Sequence, residues 1–170
     1  MNTLSDIGNI PVDFALLKSM FPNYKSVNNK ISELEKSDKI IRLKKGMYVV
    51  SPKESGKLLS MELIANHIYG PSYVSMESAL RYYGLIPESI YIMRSVTTKH
   101  SKEFKNALGK FEYTQCSKEY FPIGIRQEVK DNTAFLIASP EKTLCDLIVN
   151  TSNLNLRYQK ELLTYLEEDL

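Results

Sequence analysis

The chain has 170 residues, 43% hydrophobic and 25% charged, with a formal net charge of +2. That is the composition of an ordinary globular protein, long enough for one domain or two small ones. No leader-type pattern opens it and no apolar run approaches the length of a membrane span, so a cytoplasmic location is expected. Cys116 and Cys145 lack CxxC spacing and are expected to be reduced thiols; His67 and His100 have no metal-ligand spacing around them.

The charge is uneven. Residues 1–57 hold ten Lys/Arg against six Asp/Glu, a balance of +4, and residues 58–170 hold twelve against fourteen, a balance of −2. The basic excess lies in the segment whose pattern suits a nucleic-acid-binding unit.

In chain order, a turn or two of helix is expected at Thr3–Ile7, ended by Gly8. Pro11 then sits near the first turn of a helix over Val12–Met20, closed by Pro22-Asn23, with Phe14, Leu17 and Phe21 at helical spacing. A second helix spans Lys25–Ser37. Val27, Ile31 and Leu34 recur at i, i+4, i+7 and share its inner face. Lys25, Asn29, Ser32 and Lys36 fall on the opposite face, with Asn28 at its edge. The period then changes. Ile40–Leu43 and Met47–Val50 read as two strands joined by a Lys44-Lys45-Gly46 turn.

A supporting helix, an amide-bearing helix and a basic hairpin are the parts of a winged helix-turn-helix. On that reading Lys25, Asn28, Asn29 and Ser32 face base edges, and Lys36, Arg42, Lys44 and Lys45 hold phosphates. Domain limits of 1–56 and 57–170 follow, with the Ser51–Gly56 loop between them.

The second part reads as mixed α/β, which makes the whole chain α+β. Ser60 caps a helix over Met61–Tyr69, with Leu63, Ile64 and Ile68 apolar. Tyr73-Val74 is short and extended. Ser75 caps a helix that ends at Gly84 in the left-handed conformation. Ile90–Val96 is a strand running toward Thr98, Lys99–Gly109 a polar loop or short turn of helix, and Lys110–Cys116 a strand with Phe111 and Tyr113 on one face. Gly124–Val129 and Thr133–Ile137 form a hairpin around Lys130-Asp131-Asn132. Ser139, Pro140 and Glu141 open a helix with Leu144, Leu147 and Ile148 as its buried stripe and Glu141, Lys142 and Asp146 on a solvated face. Leu156–Asp169 is a last helix. Its acidic end opposes the helix dipole, which suggests a helix that runs further.

No phosphate-loop, dinucleotide or nucleophile-elbow motif occurs, and no catalytic, metal or cofactor-binding residue is expected. Glu103-Phe104-Lys105 has the E-x-K spacing of metal nucleases, but the spacing recurs by accident. The competing function classes are an interaction module whose first unit binds protein and a magnesium-dependent nuclease relying on Glu103.

The strings YGPSYVSMESALRYYGLIPE, LGKFEY, FPIGI and ASPEKTLCDLI, in that order, resemble the AbiEi-type antitoxins of type IV toxin–antitoxin systems. IRLKKGMYVV resembles the wing of that family's DNA-binding domain. The resemblance runs from about Pro11 to Ile148. It implies a cytoplasmic, non-enzymatic antitoxin without cofactors. Its first domain would repress its own operon by binding promoter DNA, as a dimer or cooperatively. Its second would counteract a cognate nucleotidyltransferase toxin, a partner in function without a stable complex.

Overall fold

The computed structural model describes residues 4–87 and 92–150. The chain is α+β, with seven helices and two sheets among those residues. The expected last helix at 156–169 lies outside them, as do Thr3 and the start of the strand expected from Ile90. No helix of the described residues is long and apolar enough to cross a membrane.

The first part holds α1 (Leu4–Ile7), β1 (Val12–Asp13), α2 (Phe14–Ser19), α3 (Val27–Lys36), β2 (Ile40–Lys44) and β3 (Met47–Val50). The sheet runs β1-β3-β2. The helix expected from Val12 starts two residues later. Val12 and Asp13 pair with Tyr48 and Met47 instead, and Asp13 caps α2 by accepting from the Leu16 N–H at 2.8 Å. Leu17, Ile31, Leu34, Ile40 and Tyr48 close a buried cluster with Val12, and Phe14, Phe21 and Val27 pack on its rim. That cluster is why α3 turns one face inward. Between β2 and β3 only Lys45 and Gly46 turn, with Gly46 at φ 75°, whereas Lys44 belongs to β2 beyond a bulge.

The Ser51–Gly56 stretch, expected as a loop, is a one-turn helix, α4 (Pro52–Ser55). Pro52 occupies the first position and Gly56 closes it in the left-handed conformation.

The second sheet is mixed and six-stranded, ordered β6-β7-β5-β4-β9-β8. Its strands are β4 (Ser72–Val74), β5 (Ile92–Thr97), β6 (Lys102–Asn106), β7 (Gly109–Gln115), β8 (Ile125–Lys130) and β9 (Thr133–Ala138). The polar stretch expected as a loop over Lys99–Gly109 thus contains an edge strand. Lys102, Phe104 and Asn106 alternate with Glu103 and Lys105, and Phe104 pairs with Phe111. Charged edge strands lack an apolar signature because solvent meets them on most sides. The expected hairpin is present, but its turn is the two-residue Asp131-Asn132, both at positive φ, and Lys130, expected in the turn, ends β8 paired with Thr133.

Helix α5 (Met61–Ile68), capped by Ser60, lies on one face of this sheet. Its Leu63, Ile64, Ala65 and Ile68 meet Phe111, Tyr113, Phe135 and Ile137, and Leu43 and Val49 of the first sheet join the same cluster. Helices α6 (Met76–Tyr82) and α7 (Pro140–Asn150) cover the other face over Tyr73, Val96 and Ala138. Residues 73 and 74, and 137 and 138, divide between the two faces as a period of two dictates.

Candidate nucleic-acid interface

The inner face of α3 is fixed by Ile31 and Leu34, so its outer face is free. Asn28, Asn29, Ser32 and Lys36 of α3 are all exposed, as is Lys25, which was expected within the helix but precedes its N-cap, Ser26, because α3 starts only at Val27. No hydrogen bond or ion pair engages their side chains among the described residues. Asn29, Ser32 and Lys36 line one shallow depression with Glu33 and Ser37. The two carboxylates of the helix are occupied: Glu33 by Lys30 at 3.0 Å, Glu35 by Arg42 at 2.9 Å. An anion approaching the amides therefore meets acids already partnered by cations.

The hairpin cations divide three ways. Lys45 is exposed on the turn. Arg42 braces β2 against α3 through Glu35, with its guanidinium 5.6 Å from the centre of the Tyr48 ring. Lys44 leans the other way, across to the second sheet. Its ammonium donates to the Ile68 carbonyl at 2.5 Å and lies 5.9 Å from the centre of the Phe104 ring. Burial, then the charges of Lys99 and Lys102, hold that ammonium below the usual lysine range. Of the eight residues expected to meet DNA, six stand open, one is paired and one faces the second sheet.

Asn106 donates to the Leu43 carbonyl at 3.0 Å, which fixes the end of β6 against β2. A cleft between them is lined by Arg42, Lys44, Lys45 and Lys105, among others. Lys99, just before β6, and Lys102, its first residue, were not expected as neighbours of Lys44. Their only signal is the basic run Lys99-His100-Ser101-Lys102, which carries no information about where the chain folds.

The E-x-K pair sits on β6, with Glu103 bound to Lys110 at 2.8 Å. Among the described residues no three His, Cys, Asp or Glu side chains come together as metal ligands. Cys116 is half-buried and Cys145 exposed, and both are free thiols.

A second polar group is buried instead of displayed. Lys142 and Asp146, expected on the solvated face of α7, are 5% and 0% exposed, while Ile148, expected inside, is 60% exposed. Asp146 accepts from Ser75 Oγ at 2.6 Å and from Tyr120 Oη at 2.7 Å, with Lys142 Nζ 4.0 Å away. Ser75 occupies the N-cap position of α6, but its hydroxyl goes to Asp146 and not to the helix. Lys142 donates to the Tyr120 carbonyl at 3.1 Å and stands 3.6 Å from the centre of that residue's ring. Burial, then Asp146, pushes the Tyr120 hydroxyl well above its ordinary value. Gly124, at φ 68°, lies so near that a Cβ there would sit 3.0 Å from Lys142 Cβ. The cluster is enclosed, and it ties α6, α7 and the segment before β8 into one unit.

No model of a known protein family matches the chain, and no curated protein matches it.

Proposed function

We propose that the first part of the chain is a winged helix-turn-helix that binds promoter DNA, with α3 in the major groove and the β2–β3 hairpin on the backbone. One observation carries this reading: the outer face of α3 is a row of unengaged amide, hydroxyl and ammonium groups whose acidic neighbours are already paired. Asn side chains are suited to adenine edges, and lysines to phosphates. Lys25, Asn28, Asn29 and Ser32 are assigned to bases, and Lys36 and Lys45 to phosphates. Arg42 reaches a phosphate only by leaving Glu35. Lys44 serves on the far side of the hairpin.

The same proposal makes the chain an AbiEi-type antitoxin that represses its own operon and opposes a nucleotidyltransferase toxin. The ordered motifs from Tyr69 to Ile148 support this half. Among them, the SPEKTLCDLI string supplies Lys142 and Asp146 of the buried cluster. Two measurements test the halves separately. A gel shift of the upstream region of its own reading frame should show salt-sensitive, sequence-dependent binding, and a duplex that is not retarded refutes the repressor. Co-expression with a nucleotidyltransferase encoded beside it should restore growth, and unrelieved toxicity refutes the antitoxin.

A further inference from the structure

The six-stranded sheet has β6 and β8 as its edge strands. The Asn106 end of β6 is closed by β2, where the Asn106 amide donates to the Leu43 carbonyl. Among the described residues no strand pairs with the outer side of β8. Hairpin geometry decides which groups stand open there. Lys130 and Thr133 close the two-residue turn, so their N–H and C=O groups face each other, as do those of Glu128 and Phe135 and of Arg126 and Ile137. The N–H and C=O groups of Ile125, Gln127 and Val129 therefore point outward. Leu136 bears this out. It stands opposite Gln127, and its own N–H and C=O turn away from β8 to the Asn66 amide, at 2.6 and 3.2 Å.

Edge strands that stay single are commonly blunted by a proline, a bulge or an inward-pointing charge. Strand β8 has no proline and an unbroken register with β9. Val129 is 66% exposed, and Leu136, diagonal to it on β9, is 37% exposed. Arg126 and Glu128 lie two residues apart on one face and form no ion pair among the described residues. The strand is complementary to itself. In an antiparallel pair centred on Gln127, each Arg126 stands opposite the other copy's Glu128, and each Ile125 opposite the other copy's Val129. Lys130 meets only Gly124. The outward residues then exchange their backbone hydrogen bonds with one another. Moving the centre to Arg126 or to Glu128, the nearest registers that keep such bonds, sets Arg opposite Arg or Glu opposite Glu, which is unfavourable.

We propose that two copies of this chain associate through β8, joining their six-stranded sheets edge to edge about a two-fold axis. A contact made by one edge strand is small, so the association is weak, of micromolar order. The pair also carries two α3 helices related by the same axis, the symmetry of an inverted repeat. Only this last consequence depends on the promoter-binding reading.

Sedimentation equilibrium of the full chain, without DNA, is the test. Monomer should give way to dimer as concentration rises through the micromolar range. Arg126→Glu and Glu128→Arg each set like charges opposite each other and should weaken self-association by about tenfold or more. Mixed together, the two variants should recover a dimer as strong as that of the parent chain, because only their heterodimer restores the opposite-charge pairs. Urea midpoints near that of the parent show that both variants are folded. A chain that stays monomeric throughout overturns the proposal. So does a dimer equally strong in both single variants, which would lie elsewhere on the surface. Loss in both folded variants with no recovery on mixing overturns the pairing centred on Gln127.

Discussion

Helices α3 and α7 both carry polar residues at helical spacing, and they use them in opposite ways. Asn29, Ser32 and Lys36 of α3 look outward and make no side-chain hydrogen bond or ion pair among the described residues, whereas Lys142, Thr143 and Asp146 of α7 look inward and are buried. Periodicity reports only that a stripe exists. What stands opposite decides its fate. Across from the inner face of α3 are Val12, Leu17 and Tyr48, so its apolar stripe goes in. Across from α7 are Ser75, the Tyr120 hydroxyl and the Tyr120 carbonyl, which give the carboxylate two donors and the ammonium an acceptor. An exposed polar row is available for recognition, and an enclosed one holds elements in register.

The largest effect separating the two helices is on stability. Asp146→Ala leaves the Lys142 ammonium buried without its carboxylate and strands the Ser75 and Tyr120 hydroxyls. A loss of about 3–5 kcal/mol is expected in urea unfolding. D146A/K142A should lose less than the sum of the single variants, because each single change abandons the other charge. If D146A costs under about 1 kcal/mol, the cluster is hydrated and does not tie α6 to α7.

Asn29→Ala on α3 should do the reverse. Stability should stay within about 0.5 kcal/mol, since the side chain is exposed and engages no hydrogen bond among the described residues. Affinity for the promoter site should fall by about 1–3 kcal/mol, with base preference relaxed at one position. Equal loss on all sequences would make Asn29 a backbone contact.

How much of this was legible follows from where each signal resides. Turn and cap chemistry is local, so Asp131-Asn132, Ser60 and Gly84 read correctly. The apolar stripe of α3 read correctly because Ile31 and Leu34 have no polar competitor on their face. Strand β6 did not, since its charges belong to an edge and its pairing with β7 is a tertiary fact. The position of Lys44 was misread by one residue: a bulge takes it out of the turn and aims it at Ile68. The buried pair on α7 was illegible for a deeper reason. Lys142 and Asp146 at i, i+4 are what a solvated helix face also shows. Only Ser75 and Tyr120, 71 and 26 residues away from Asp146, distinguish the two cases.

Asp13→Ala acts on the support of α3 and not on its outer face. It removes the acceptor for the Leu16 N–H and should cost about 1 kcal/mol of stability, seen as a lower urea midpoint. Promoter affinity at saturating folded protein should hold, because no side chain of the outer row is altered. A parallel loss of affinity would mean that the seating of α2 sets the angle at which α3 is presented.

The smallest expected effect is in pH, and it separates α5 from the start of α7. His67 is exposed at the rim of a shallow groove with Leu63, Phe135 and Leu136, and partial desolvation on its groove side holds its imidazole below the ordinary value of about 6.5. The unfolded chain therefore takes up this proton before the folded chain does. Stability should decline as pH falls through about 6.5 and level off below the lowered folded value. Glu141 works in another window. Its bond with Ser139, and next its place at the first backbone N–H groups of α7, lower its carboxyl, so its contribution is complete above about 4.3 and is lost in stronger acid. Urea midpoints measured from pH 8 to pH 3 should show two separate declines. His67→Gln should flatten the upper one alone, and Glu141→Gln the lower one alone. If His67→Gln leaves the upper decline intact, the groove is wet enough to solvate the imidazolium, and α5 meets solvent there as freely as α3 does.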